Sequence, residues 1–372
     1  MSWRSCRLGD VLTLKRGHDL PEHSRQDGDV PVVSSSGITG RHKEAKAMAP
    51  GVVTGRYGTI GEVFYLEEDY WPLNTALYVI DFKGNDPRFS AYFLRNVLKG
   101  YQSEKAAVPG VDRNVLHEIK VRAPSHALQL RIADILSTYD DLIDNNRRRM
   151  ALLEESARLL YREWFVRLRF PGYEHTPIVD GVPQGWQRRT LGDLCSEIRD
   201  MVLPEALEPD TPYIGLEHIP RRSISLNEWG NAEEVTSSKS RFKAGEIIFG
   251  KIRPYFHKVG VAFVDGVASS DAIVVRPDAD TLHGLVLMTM SSDEFVAVTA
   301  QQMKEGSKMP RADWKQMQAY SVPLPPSGLL SNFDGVIHSI VEQLQSISFA
   351  NQKLRAARDL LLPRLMSGEI SV

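Results

Sequence analysis

Two short segments of this 372-residue chain set a cation beside glycine, and each occurs twice. Thr54-Gly55-Arg56-Tyr57-Gly58-Thr59 is answered by Gly250-Lys251-Ile252-Arg253-Pro254-Tyr255. Gly110-Val111-Asp112-Arg113-Asn114 is answered by Gly306-Ser307-Lys308-Met309-Pro310-Arg311. Glycine lets a backbone approach a ligand closely, and the cation supplies binding to a phosphate or to the major-groove edge of guanine. Arg56, Tyr57, Thr59, Arg113, Asn114, Lys251, Arg253, Lys308 and Arg311 are therefore the candidate DNA-binding residues. The plainer alternative is a set of surface hairpins with solvated charges. Gly55-x-x-Gly58-x-x-Gly61 alone is a weak phosphate signal, explained equally well by a tight hairpin between strands at 52–54 and 62–66. Arg221-Arg222 and Arg41-x-Lys43 are further candidates, while Arg147-Arg148-Arg149 reads as a partner-facing or solvated helix face.

Catalytic signatures are missing. There is no Gly-x4-Gly-Lys-Ser/Thr nucleotide loop and no His-Glu-x-x-His run. Nor is there an Asn/Asp-Pro-Pro-aromatic tetrapeptide of the kind that grips a flipped adenine, since Pro325-Pro326 stands between Leu324 and Ser327. The carboxylate pairs Glu67-Glu68 and Asp140-Asp141 read as solvated charges on turns or an outer helix face. No catalytic or metal-binding residue is expected. Cys6 and Cys195 lack metal-ligand spacing and read as two free buried thiols in a reducing compartment. No apolar run reaches the roughly 18–20 residues of a membrane span, and the N-terminus has no signal-peptide core, so cytoplasm is the expected location. The net charge is −2. Residues 1–125 hold 17 Lys/Arg against 15 Asp/Glu, and residues 171–326 hold 16 against 21, so a DNA-facing patch must come from arrangement rather than from excess charge.

The elements that would position these loops are themselves duplicated. Trp3-x4-Leu8-Gly9-Asp10 recurs as Trp186-x4-Leu191-Gly192-Asp193, and Val121 and Pro124 recur as Val322 and Pro325. Strand-like runs at 52–54, 62–66, 76–81, 246–249, 259–264 and 272–276 precede helical segments near 89–99 and 282–290, which implies a mixed α/β (α+β) class with a largely antiparallel sheet. After each copy comes a heptad frame. Ile132, Leu136, Tyr139, Ile143, Asn146, Met150, Leu153, Ala157, Leu160 and Trp164 are answered by Phe333, Ile337, Ile340, Leu344, Ile347, Asn351, Leu354, Arg358, Leu361 and Leu365. A period of 3.5 is a coiled-coil seam, in which a buried Asn fixes register. The expectation is two tandem globular domains of similar fold, each followed by a long helix, with the helices pairing antiparallel about a pseudo-two-fold axis. Phe170-Pro171-Gly172-Tyr173 is expected to end the first helix, and Pro363 to kink or fray the second.

This plan resembles the specificity subunits of type I restriction-modification systems. Trp186-x4-Leu191-Gly192-Asp193-Leu194 looks like the family's domain opening, and Trp3-x4-Leu8-Gly9-Asp10-Val11 repeats it. Val322-Pro323-Leu324-Pro325-Pro326 looks like its domain-to-helix junction, and Leu361 to Ile370 is similar to its usual ending. The family's acidic-Gln pair at each helix start survives only as Gln129, and Gly328-Leu329-Leu330-Ser331 has lost it. The resemblance implies target-recognition domain 1 at 1–125, a central helix at 126–170, a linker with target-recognition domain 2 at 171–326, and a C-terminal helix at 327–372. It further implies a non-catalytic subunit that reads a bipartite site in double-stranded DNA, one domain per half-site. Its helices would dock two modification subunits, which carry S-adenosylmethionine, and restriction/motor subunits, with ATP and Mg also on the partners and no cofactor on this chain. The competing readings are a duplicated coiled-coil scaffold that never touches DNA, and an enzyme with an unrecognised nuclease or methyltransferase site.

Overall fold

The structure is a computed structural model, and it describes residues 3–56, 61–104, 110–301 and 310–372. Its helices are α1 (Pro87–Glu104), α2 (Arg113–His117), α3 (His126–Tyr161), α4 (His283–Met290), α5 (Asp293–Gln301), α6 (Trp314–Met317) and α7 (Ser327–Ser367). Two compact units emerge, one of residues 1–144 with 353–372 and the other of residues 145–352. Each unit thus joins a globular lobe to part of α3 and part of α7.

In unit 1, Trp3–Arg7 pairs antiparallel with Lys120–Pro124, the strand that feeds α3. A four-stranded antiparallel sheet runs in the order Thr13–Arg16, Ala76–Asp81, Gly51–Gly55, Val63–Leu66. A second sheet sets Val30–Ser34 between Gly37–His42 and Trp71–Pro72. Unit 2 repeats the plan. Gln187–Thr190 pairs with Ser321–Leu324 ahead of α7. One five-stranded sheet is ordered Cys195–Ile198, Ala272–Pro277, Ile247–Gly250, Val259–Ala262, Ser225–Leu226, and a second contains Met201–Val202, Lys239–Phe242, Gly266–Ala268, Pro212–Ile214 and Gly230–Asn231. The mixed class is as expected. The sheets are mainly antiparallel, with parallel pairs where Val30–Ser34 meets Trp71–Pro72, Pro212–Ile214 meets Gly266–Ala268, and Ser225–Leu226 meets Val259–Ala262.

The repeated Leu-Gly-Asp turn acquires a structural reason. Leu8 and Leu191 are fully buried. Their amides donate to the Ile119 and Tyr320 carbonyls at 2.9 and 2.8 Å. Asp10 and Asp193 close the turn by accepting from the Arg7 and Thr190 amides at 2.9 and 2.8 Å. Between them, a Cβ on Gly9 would sit 3.1 Å from the His117 side chain, and one on Gly192 would sit 3.1 Å from that of Gln318. The motif ties the first strand of each lobe to the short helix α2 or α6, which lies next to the candidate loops.

The long helices pack antiparallel within each unit. In unit 1, Leu128, Ile132, Ala133 and Leu136 of α3 share a core with Leu362, Leu365 and Met366 of α7, together with Leu8, Phe89, Leu94 and Leu116 of the lobe. In unit 2, Ala157, Tyr161 and Phe165 share one with Phe333, Ile337, Ile340 and Leu344. The Asn146 amide donates to the Asn351 side-chain oxygen at 2.9 Å. Of the seam positions, Ile132, Leu136, Ile143, Phe333, Ile337, Ile340, Leu344 and Asn351 are buried, whereas Tyr139, Asn146, Leu153, Leu160, Leu354 and Leu361 are half-buried.

Several expectations need correction. Toward the end of α3 the buried line keeps Ala157 but otherwise moves one residue off the heptad, to Glu154, Tyr161 and Phe165. The helix there packs on the lobe as well as on α7, which widens its buried stripe. The regular helix stops at Tyr161 and passes into a π-helical turn at Arg162–Val166, well before Pro171. At the other end Pro363 lies inside α7, which ends four residues later at Ser367. Asp140 is not a solvated charge: it accepts from the Tyr92 hydroxyl at 2.6 Å and pairs with Arg358. Only Cys195 is buried, and Cys6 is half-buried. Gly51–Gly55 and Val63–Leu66 pair antiparallel with Thr54 opposite Val63, and residues 57–60 of their connection lie outside the described residues.

The junction that lost its glutamine has a substitute. Gln129 accepts from the Asp86 amide at 3.0 Å and donates to the Asn85 side chain at 2.7 Å and the Pro124 carbonyl at 3.0 Å, tying the start of α1 to α3. In the second copy, Asp334 accepts from the Gly284 amide at 2.7 Å in the first turn of α4.

Candidate nucleic-acid interface

The two loops of each repeat, far apart in sequence, abut through backbone hydrogen bonds. In lobe 2 the Lys251 amide donates to the Asp271 carbonyl at 2.7 Å, and the Lys251 carbonyl accepts from the Ala312 amide at 2.9 Å. The Arg253 amide donates to the Pro310 carbonyl at 3.0 Å, and Ile252 bridges Arg311. Lobe 1 is built the same way. The Arg56 amide donates to Thr75 at 3.0 Å, and the Arg56 carbonyl accepts from the Val111 amide at 2.9 Å. Immediately beyond each junction an aspartate caps a short helix: Asp112 accepts from the Asn114 amide at 2.8 Å, and Asp313 from the Lys315 amide at 3.1 Å. These caps fix the chain direction just where the basic residues leave it.

Lys251, Arg253 and Arg311 are thus brought together in lobe 2, and Arg56 is brought beside the segment that carries Arg113 and Asn114 in lobe 1. Arg113 and Asn114 are exposed in the first turn of α2, and Arg56 is half-buried. Lys251 donates to the Ser270 carbonyl at 3.2 Å, and Arg311 pairs with Asp271 at 3.1 Å. Tyr57, Thr59 and Lys308 lie outside the described residues. The weaker candidates divide. Arg222 is committed to Asp293 at 2.8 Å, Arg41 to the Asp29 carbonyl, and Lys43 lies 3.7 Å from Glu44. The Arg147 to Arg149 run is exposed on α3.

One feature of lobe 2 escaped the sequence reading. Pro254–Phe256 forms a single 3₁₀ turn flanked by two non-glycine residues in the left-handed region, Arg253 (φ 49°) and His257 (φ 54°). Each costs about 1–2 kcal/mol, so the surroundings must impose them. The turn presents Tyr255 at 53% exposure and buries Pro254 beneath it. The Arg221 guanidinium lies 4.0 Å from the Phe256 ring centre and that of Arg253 lies 5.9 Å from it. Pro254, which allows only one φ range, was the local signal for a rigid turn here. Lobe 1 has a different aromatic group. The Lys46 ammonium sits 4.9 Å over Trp71, and His42 meets that ring edge-on at 5.2 Å. His18 contacts Trp71 and Tyr78; burial, then Lys15 and Lys46, hold its imidazole below its ordinary value.

Chemically, these surfaces offer cations, the exposed Asn114 side chain of lobe 1 and the exposed Tyr255 ring of lobe 2, which suit phosphate and base contacts, whereas Trp71 and Tyr78 of lobe 1 are buried. A nucleophile is not in evidence at Cys195, whose thiol is pushed up to about 12 by burial and then by Asp278. Among the described residues, no group of three His, Cys, Asp or Glu side chains could hold a metal ion, and no helix is long and apolar enough to cross a membrane.

Comparison with known proteins gives a consistent result. Residues 2–155 match the family described as the type I restriction modification DNA specificity domain. The MjaIX type I restriction enzyme specificity subunit of Methanocaldococcus jannaschii is 24% identical over 280 residues, 71% of this chain and 63% of its own length. The EcoDI specificity subunit of Escherichia coli is 21% identical over 355 residues, 88% of this chain and 78% of its own. The alignment therefore spans just under two thirds of the first relative. The crystal structure of a type I restriction-modification S subunit from M. genitalium shares the fold, with a TM-score of 0.62 at 15% identity over 98% of this chain and 96% of that one. Residues 2–155 thus match that specificity domain, and the chain as a whole, with its repeated lobe and paired loops, is similar to the specificity subunits of type I restriction-modification systems.

Proposed function

We propose that this chain reads a bipartite site in double-stranded DNA, with one lobe on each half-site, and carries no catalytic centre of its own. The observation that supports it most is the repeated loop junction. Val111 donates to Arg56 and Ala312 donates to Lys251, both at 2.9 Å, so each lobe presents basic residues from two loops on one edge. In lobe 2, Lys251, Arg253 and Arg311 face DNA, with Tyr255 beside them. In lobe 1, Arg56, Arg113 and Asn114 do. Because the side chains around the two junctions differ, the two half-sites differ as well.

The partners follow from the same reading. Two modification subunits bind the duplicated helices and supply S-adenosylmethionine and adenine methylation, and restriction/motor subunits supply ATP- and Mg-dependent chemistry. Each half-site then receives one methyl group, on opposite strands, through base flipping by the partner.

The test is binding to cognate and scrambled duplexes at several salt concentrations, followed by methyl transfer with and without the modification subunit. A base-reading Lys251 or Arg253 loses about 1–3 kcal/mol on cognate DNA when replaced by Ala. A phosphate contact instead weakens all sequences and lowers the salt slope by about 1. The isolated chain should bind no S-adenosylmethionine and methylate nothing, and saturation should occur at two modification subunits per chain. Methyl transfer by the chain alone, or unchanged affinity in both variants, overturns the proposal.

A further inference from the structure

A chain of polar contacts in unit 2 runs from α3 to the turn that carries Arg253. Glu154 lies in the buried line of the helix at only 6% exposure. One of its oxygens accepts from the Ser223 and Ser225 hydroxyls at 2.6 and 2.7 Å, and the other accepts from Arg158 at 3.1 Å. Arg158 also donates to the Arg222 carbonyl. The Arg222 amide donates to the His257 carbonyl at 2.9 Å, and its guanidinium pairs with Asp293 at 2.8 Å. His257, at 5% exposure, hydrogen-bonds through its Nε2 to the Ser291 carbonyl at 2.8 Å. Three residues in and beside this chain, Arg222, Arg253 and His257, adopt left-handed φ values of 57°, 49° and 54°. A strained backbone of this kind persists only where neighbours over-determine it.

We infer that Glu154 is a positioning residue for DNA reading by lobe 2: from α3 it holds residues 222–225, which hold His257, and so sets the direction in which Arg253 and Tyr255 leave the 254–256 turn. The inference rests on the proposed DNA-reading role. Its content is that discrimination at one half-site depends on a buried carboxylate of the long helix that itself touches no DNA. Glu154→Gln keeps an acceptor for the serines but turns an amide toward Arg158, which releases Arg158 and Arg222. Ser223→Ala with Ser225→Ala cuts the same chain from the other side without altering charge.

The experiment is selection from a randomised duplex pool by the full-length chain with its modification subunit, followed by sequencing and by affinity on a scrambled duplex. The wild type should enrich a two-part motif. Glu154→Gln and the double serine variant should lose about tenfold in discrimination at one part, the size of a lost base contact, and keep the other part intact. Affinity for scrambled DNA and its salt slope should stay unchanged, because Lys251 and Arg311 are held by Ser270 and Asp271, outside this chain of contacts. Adding Arg253→Ala to Glu154→Gln should cost discrimination little more. An unchanged motif in both variants overturns the inference, and so does a fall in scrambled-duplex affinity, which would mark a merely structural role. A wild type that enriches no motif removes the DNA-reading proposal itself.

Discussion

The two lobes share a plan and differ in how that plan is held together. In unit 1, partly exposed charged contacts join lobe and helices beside their shared apolar core: Asp140 takes Tyr92 and Arg358, and Asp141 takes Arg88 at 2.8 Å. In unit 2 the corresponding contacts are buried. Tyr161 bonds Thr289 at 3.2 Å, Glu154 takes two serines and Arg158, and Phe333 packs on Phe165 with ring centres 4.7 Å apart. What recurs is backbone: the Leu-Gly-Asp turn, the strand that feeds each long helix, and the loop junction. What diverged is side-chain chemistry around that backbone. The proposed reading of two different half-sites would use that division, with a repeated loop junction to place the loops and different side chains to contact the bases.

The sharpest way to break the comparison is exchange. Replacing residues 183–325 with the matching part of a relative should alter one half of the methylated motif and leave the other, as read by methylome sequencing. Alteration of both halves would contradict independent readers. Next in size is Phe333→Ala. This side chain is fully buried against three aromatic rings, so its loss should cost about 3–5 kcal/mol. Peptide-resolved hydrogen exchange should show protection falling in unit 2 while the lobe 1 sheet keeps its own. Asp140→Ala should do the reverse at lower cost. It leaves Arg358, with 17% of its side chain exposed, without its inter-helix partner, and leaves the Tyr92 hydroxyl unmatched. About 2 kcal/mol is expected, confined to unit 1 exchange.

The smallest effect is a pH dependence. Burial, the leading cause, holds the His257 imidazole below its ordinary value, with Arg222 acting in the same direction and the Ser291 carbonyl and Asp293 opposing. The unfolded chain therefore binds a proton at higher pH than the folded one. The stability this contributes is complete above about pH 6.5, the unfolded value, and is lost as pH falls from there through the lower folded value. His257→Gln should flatten that slope in unit 2. The acid-side slope of unit 1, where burial likewise lowers His18 and His117, should remain. Equal flattening in both units would show that the two do not titrate separately.

Much of this protein was legible without its structure. Motifs repeated at an offset of 183 at the opening of each copy and 201 at its end, and heptads that share one frame, are local or periodic properties, and they pointed to two similar lobes and two long helices. The paired asparagines Asn146 and Asn351 came from the same frame. Periodicity could not say which residues just beside the frame are buried, because that depends on whether a second surface packs against the helix. Glu154, Tyr161 and Phe165 displaced Leu153, Leu160 and Trp164 for that reason. Nor could spacing reveal that Asp140 has partners, because Tyr92 and Arg358 lie 48 and 218 residues away. The loops were recognisable as basic and glycine-bearing from sequence alone. Their abutment, and the left-handed turn that aims Arg253, were decided by hydrogen bonds between segments that only the folded chain brings together.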